Sequence, residues 1–188
     1  MNKKSALSTR KIVFTALMAA LTVAGSSIRV TLPVDIAGTT SFHLGNIMCA
    51  LSGILLGPWL GGLAAGLGSA LYDMMNPLYI SEAWITFITK AAYGLVPGLI
   101  AWTGKKWGYG KAIFAAAGGA ITYAALYLAK TYFYSGLFLK GLTHEAALVA
   151  VISKLPATVF NAAVAIIFAP ILAVSIRKAL EKNHLTLE

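Results

Sequence analysis

The sequence predicts an all-α integral membrane protein of six short transmembrane helices with both termini in the cytoplasm. Three observations carry this expectation. Of the 188 residues, 59% are hydrophobic and only 11% charged, with a mean hydropathy of +0.78, where soluble domains run roughly 45–50% apolar and about 25% charged. The apolar residues gather into stretches of membrane-spanning length divided by glycine, proline or charge. Basic side chains collect at alternate ends of those stretches. Six helices of ~20 residues consume about 120 positions, which leaves short loops but no room for a further soluble domain of the usual ~100 residues. Residues 1–188 therefore read as a single transmembrane domain.

The first span, 12–28, follows Lys3, Lys4, Arg10 and Lys11 and ends in Ala24-Gly25-Ser26. That ending imitates a signal-peptide cleavage site, but the membrane-like remainder of the chain favours an uncleaved helix. The block from Leu44 to Leu71 is too long for one span and is broken at Gly57-Pro58-Trp59 and Gly61-Gly62, so it reads as a tight hairpin of two short helices, 44–57 and 60–73. Further spans follow at 83–102, 112–130 and 152–176.

Orientation follows from charge. An amino terminus in the cytoplasm places Lys3, Lys4, Arg10 and Lys11, then Lys105, Lys106 and Lys111, then Arg177, Lys178 and Lys182 on one side. Those are ten of the fifteen basic residues. The other side receives the segments Arg29–His43, Asp73–Glu82 and Lys130–Lys154, with every acidic residue except Glu181 and Glu188. An even number of spans with both ends inside satisfies this asymmetry. The outer segments read as the longer loops, a shape suited to receiving a ligand.

Several functions are excluded. A formal charge of +9, from 15 Lys+Arg against 6 Asp+Glu, is what membrane topology produces, so it implies no nucleic-acid partner. Gly104-Lys105-Lys106 is too short for a phosphate-binding loop, and no H-E-x-x-H or G-x-S-x-G exists. The lone Cys49 and the scattered His43, His144 and His184 offer no local metal motif. No catalytic residue, metal or cofactor is expected. An integral-membrane enzyme is disfavoured for want of an acidic pair or nucleophile constellation at plausible depth; a self-contained facilitator is the harder rival.

The positive signals are of two kinds. Ala16, Ala20 and Ala24 recur at four-residue spacing, giving the first span a smooth face for close helix approach. Gly53, Gly57 and Gly61, then Gly62, Gly66 and Ala70, form similar series that suit internal packing. Lys90, in mid-span, needs a partner such as Asp73 or Glu82, because a charge at the membrane centre costs about 2.5–3.5 kcal/mol on insertion scales. Tyr123, Tyr127, Lys130 and Tyr134 draw one helical stripe. Lys154 and Asn161 share a face, and the Asn161 amide is either interhelical glue or a ligand hook. With Trp84, these residues describe an outward-opening pocket for a small planar polar ring.

The chain resembles a substrate-binding S component of an energy-coupling factor (ECF) transporter, a vitamin importer driven by ATP. The resemblance covers almost the full length. It rests on the six short spans, Ala16-Met18-Ala20 spacing, and the block from Leu44-Gly45-Asn46 through Gly57-Pro58-Trp59, Gly66-Leu67-Gly68-Ser69-Ala70-Leu71-Tyr72-Asp73 and Phe87-Ile88-Thr89-Lys90 to Gly98. It implies that Ala16, Ala20 and Ala24 dock on a transmembrane coupling subunit attached to two ATPase subunits, and that the S component topples in the bilayer to carry ligand inward. It also implies that the first outer loop, Arg29–His43 with Pro33 and Gly38, is a lid. The candidate ligand contacts, read from the residues themselves, are Trp84, Lys90, Tyr123, Tyr127, Asn161 and His43. Within the class the block is most similar to components for hydroxymethylpyrimidine or pyridoxine, with riboflavin or another vitamin as the alternative.

Overall fold

The computed structural model describes residues 8–34, 38–104 and 108–185. Lys3, Lys4, Lys105, Lys106, Glu188 and residues 35–37 of the expected lid lie outside the described residues. The elements in chain order are α1 (Thr9–Ser27), β1 (Arg29–Val34), β2 (Gly38–His43), α2 (Gly45–Leu56), α3 (Pro58–Met74), α4 (Ala83–Trp102), α5 (Tyr109–Ala129) and α6 (His144–Lys182). A 3₁₀ turn at Ile80–Glu82 leads into α4, and α5 continues as a π-helix over Lys130–Leu139.

The bundle is built around α2. Every residue of α2 except Met48 is buried, and it packs on α1, α3, α4, α5 and α6. A helix apolar all round needs such a position. At 12 residues it is about 18 Å long, short of a ~30 Å hydrocarbon core. The chain reverses into α3 at Gly57, whose φ of 80° lies where a side chain is strained. Close packing continues at Gly53: a Cβ there would sit 2.0 Å from the Gly94 carbonyl oxygen of α4, and one on Gly61 would sit 2.5 Å from the Gly53 Cα. The glycine series therefore serves internal packing.

Three helical stretches among the described residues are long and apolar enough to cross a membrane: Ile80–Trp102, Tyr109–Leu139 and His144–Lys182. Large apolar side chains cover the outside of the bundle, including Ile12, Val13, Phe114, Ile121, Val159 and Ile167. In water such a surface would aggregate; against lipid tails it is matched to its solvent.

Two segments differ from the expectation of open loops. Arg29–His43 contains an antiparallel β-hairpin in which Arg29 faces His43, Val30 faces Phe42 and Thr31 faces Ser41. The segment Lys130–Lys154 is helical apart from a short connection at Lys140–Thr143. Its polar residues do not end the helix because they turn inward: Lys130 pairs with Glu82, and Thr131 and Ser135 are buried. Thr143 then caps α6, its hydroxyl accepting from the Ala146 amide at 3.3 Å, which starts that helix eight residues before the expected 152.

Candidate functional site

A cavity opens beneath the hairpin, between the adjacent ends of α2 to α6, and offers about 110 Å³ to the centres of water-sized molecules. Helical spacing supplies its walls. On α4, Thr86, Thr89 and Lys90 fall on one face; on α5 and its π continuation, Tyr123, Tyr127 and Lys130 do; on α6, Lys154, Thr158 and Asn161 do.

The floor is aromatic. Tyr93 and Tyr123 stack with ring centres 5.1 Å apart and 11° between planes, and Tyr123 stacks on Tyr127 at 5.6 Å and 26°. Lys90, only 4% exposed, donates to the Asn46 side-chain oxygen and lies over the Tyr123 ring. Its partner is therefore a neutral amide and a ring face rather than Asp73 or Glu82. Glu82 is committed elsewhere: one oxygen pairs with the Lys130 ammonium at 2.6 Å and the other accepts from the Ser135 hydroxyl at 2.7 Å. Asp73 lines the same cavity as Thr86.

The roof is held by polar bonds. The Asn161 carboxamide oxygen accepts from the His43 backbone N–H at 3.0 Å, and its NH₂ donates to the Ser41 carbonyl at 2.8 Å. Asn161 thus fastens β2 to α6 while lining the cavity. On the other strand the Arg29 Nε–H donates to the Ser26 carbonyl at 2.7 Å, while its guanidinium lies 4.1 Å from the centre of the Tyr72 ring. His43 lines the cavity with a buried Nδ1 that has no hydrogen-bond partner. Burial holds its pKa well below the ordinary histidine value, and the charges of Lys90 and Arg29 act in the same direction. The ring is neutral, and its free nitrogen is an unused polar contact.

The structure therefore brings His43, Lys90, Tyr123, Tyr127 and Asn161 together around one cavity. It does not bring Trp84. That side chain is 56% exposed and outside the cavity, its indole N–H donating to the Tyr134 hydroxyl at 3.1 Å. The reason is angular: residue 84 precedes the lining Thr86 by two positions, about 200° around the helix. Tyr134 leaves the expected stripe as well, because π-helical winding turns it away from the face of Tyr127. Sequence reasoning left out Arg29, Asn46, Tyr72 and Tyr79 as lining residues; the signal available for Asn46 was a carboxamide in an otherwise apolar run. Among the described residues no group of three or more His, Cys, Asp and Glu side chains is placed to hold a metal.

A family model described as ECF-type riboflavin transporter, S component, matches residues 6–178. The chain belongs to this S-component family. It is thus a membrane-embedded substrate-binding subunit of an ECF transporter and not an enzyme. S components work with a membrane coupling subunit and ATPases in an ECF module, which agrees with the lack of a phosphate-binding loop in this chain. The S component is also 32% identical over 118 residues to a protein of Pyrococcus woesei described as an uncharacterized protein in gap 3'region, covering 62% of this chain and 74% of that relative. In this S component Ala16, Ala20 and Ala24 all lie exposed on α1, with Leu17 and Leu21 beside them.

Proposed function

We propose that this S component captures a small aromatic heterocycle of vitamin size beneath the β-hairpin, hydroxymethylpyrimidine or pyridoxine being favoured. The observation that carries this reading is the Tyr123–Tyr127 stack, backed by the buried Tyr93 ring, under a ring of hydrogen-bonding groups. A planar ring gains stacking energy on such a floor, ~1–3 kcal/mol per ring in comparable base–aromatic contacts, while Asn46, Thr158 and the His43 nitrogen supply polar contacts at its edge. The hairpin is the lid, latched by Asn161.

In the proposed topology the chain crosses the membrane six times, the short α2 doing so inside the bundle, shielded from lipid by its neighbours; both termini are cytoplasmic, and the β-hairpin faces outward. Arg10, Lys11, Lys111, Arg177, Lys178 and Lys182 then share the cytoplasmic side. The exposed alanine face of α1 docks on the coupling subunit, which two ATPase subunits drive.

Riboflavin is the second reading, favoured by the family description and by a floor of stacked rings that suits a flavin as well. Isothermal titration calorimetry of the purified chain with pyridoxine, hydroxymethylpyrimidine, riboflavin and pantothenate separates these. Tryptophan quenching is the weaker assay, since no described tryptophan lines the cavity. Nanomolar binding of one of the first two supports the reading, and exclusive binding of pantothenate, which has no ring, overturns it. Co-purification of ATPase subunits with the chain tests its assembly.

A further inference from the structure

We infer that the captured compound carries a hydroxyl group at its edge, and that His43 and Ser26 together read it. The inference rests on the proposal that the cavity takes a ring compound, and it names the group by which that compound is told from its close analogues.

Its basis is the state of the polar side chains that line the cavity. Most are already engaged within the chain: Glu82 with Lys130 and Ser135, the Asn46 oxygen with Lys90, both ends of the Asn161 amide with the hairpin backbone, and the Thr89 and Thr158 hydroxyls with helix carbonyls. Among the described residues two buried side-chain atoms have no hydrogen-bond partner, His43 Nδ1 and the Tyr93 hydroxyl. Of these two residues only His43 lines the cavity. A buried polar atom left unpaired is destabilising, so one kept on a cavity wall points to a partner that arrives from outside.

Ser26, also on the cavity wall, completes the arrangement. A Cβ built on Gly45 would stand 2.3 Å from Ser26 Oγ and 3.0 Å from His43 Nδ1. The two atoms therefore flank one point and lie close enough together for a single oxygen to hydrogen-bond both. Each is presented from a fixed backbone: the Ser26 carbonyl accepts from Arg29 Nε at 2.7 Å, and the His43 N–H donates to the Asn161 oxygen at 3.0 Å. Arg29 and His43 face one another across the base of the hairpin, so both supports belong to one rigid unit.

The chemistry of the pair selects a hydroxyl. With the imidazole neutral, Nδ1 is a donor or an acceptor according to the tautomer, and the serine hydroxyl is both. A ligand hydroxyl offers a proton and lone pairs on one atom, so it matches the pair in either tautomer and brings no charge into the cavity. A hydrogen or methyl group in its place leaves Nδ1 unpaired. Sites built to hydrogen-bond a hydroxyl reject the analogue lacking it far more strongly than an apolar pocket rejects a change of size.

The test is calorimetry on the full chain in lipid nanodiscs, with parent compounds and analogues lacking hydroxyls: pyridoxine with its singly deoxygenated forms, hydroxymethylpyrimidine with 4-amino-2,5-dimethylpyrimidine, and riboflavin with lumiflavin. For a parent that binds, at least one analogue is expected to bind tenfold or more weakly. His43→Phe and Ser26→Ala are each expected to weaken the parent and shrink that difference, and His43→Asn, whose amide reaches the Nδ1 position, to keep more of it than His43→Phe. Analogues that all bind as tightly as their parent overturn the inference and leave capture of a ring compound standing. A difference undiminished in a variant that elutes as folded protein overturns the assignment to that residue. Ser26→Ala removes a single oxygen and keeps the test decisive if His43→Phe does not fold. Binding of pantothenate alone would overturn the ring reading on which the inference rests.

Discussion

The Lys90 ammonium lies 3.7 Å from the centre of the Tyr123 ring. This contact joins α4 to α5 at the cavity floor, and the hydrogen bond to Asn46 adds α2. A desolvated cation over an aromatic face is worth ~2 kcal/mol, so Lys90 both organises the floor and brings its charge to the cavity wall. The same three groups fix α2, α4 and α5 around the cavity.

Replacing Lys90 tests that double role. Lys90→Met is expected to weaken ligand binding at least tenfold, about 1.4 kcal/mol, while the protein still elutes as a folded species. Asn46→Ala is expected to act in the same direction by freeing the ammonium. Unchanged affinity in equilibrium dialysis for both variants would reduce the pair to a packing contact.

Asn161 makes a different prediction because both ends of its amide are spent on the hairpin backbone. Asn161→Ala removes two hydrogen bonds, each worth about 1 kcal/mol. The hairpin amides of Ser41 to His43 should exchange with solvent faster, and ligand should dissociate at least tenfold faster at little-changed association rate. A dissociation rate equal to wild type would show that the lid closes without this latch.

The helices were legible because their chemistry is one-dimensional: α2 is apolar all round, so its burial follows from composition. The hairpin was less so. Pro33, Gly38 and the threonines suggest a loop, and only the alternation of Val30, Leu32 and Val34 marks a strand. Lys90 was visible as a charge needing a partner, yet its partner Asn46 is 44 positions away in sequence, a pairing that no local spacing encodes. Trp84 lies outside the cavity for a local reason: its angle on α4, which its depth and aromatic character do not reveal, turns it outward.

His43 links stability to pH. Its imidazole is held neutral by burial first and by Lys90 and Arg29 second, so the folded protein resists a proton that the unfolded chain accepts below about pH 6.5. Stability is therefore fully present above that value and falls as pH drops below it, by up to about 1.4 kcal/mol per pH unit. Denaturation midpoints measured from pH 8 to pH 5 should show this decline in the native chain and a shallower one in His43→Gln. Parallel curves would mean that another group governs the acid limb.

Backbone contact at Gly53 leaves no space for a methyl group. Gly53→Ala would place its Cβ 2.0 Å from the Gly94 carbonyl oxygen, and since both belong to packed helices neither yields cheaply. Overpacking of this kind costs about 1–3 kcal/mol or more. A lower melting temperature and weaker ligand binding are expected together, and a melting temperature within error of wild type would contradict the close approach of α2 and α4.

The alanine face of α1 should behave in the opposite way. Ala16, Ala20 and Ala24 are exposed, and no helix among the described residues covers them, so added bulk there meets little of the described chain. Small residues at four-residue spacing allow another helix to approach closely, and a coupling subunit is the partner that this family provides. Ala16→Trp and Ala20→Trp are therefore expected to abolish assembly with the coupling subunit and uptake, while affinity for ligand in the isolated chain stays within about twofold, less than 0.5 kcal/mol. Pull-down of the ATPase subunits and calorimetry on the same preparations read the two effects separately. Loss of ligand binding together with loss of assembly would place the alanine face inside the fold and remove the docking surface.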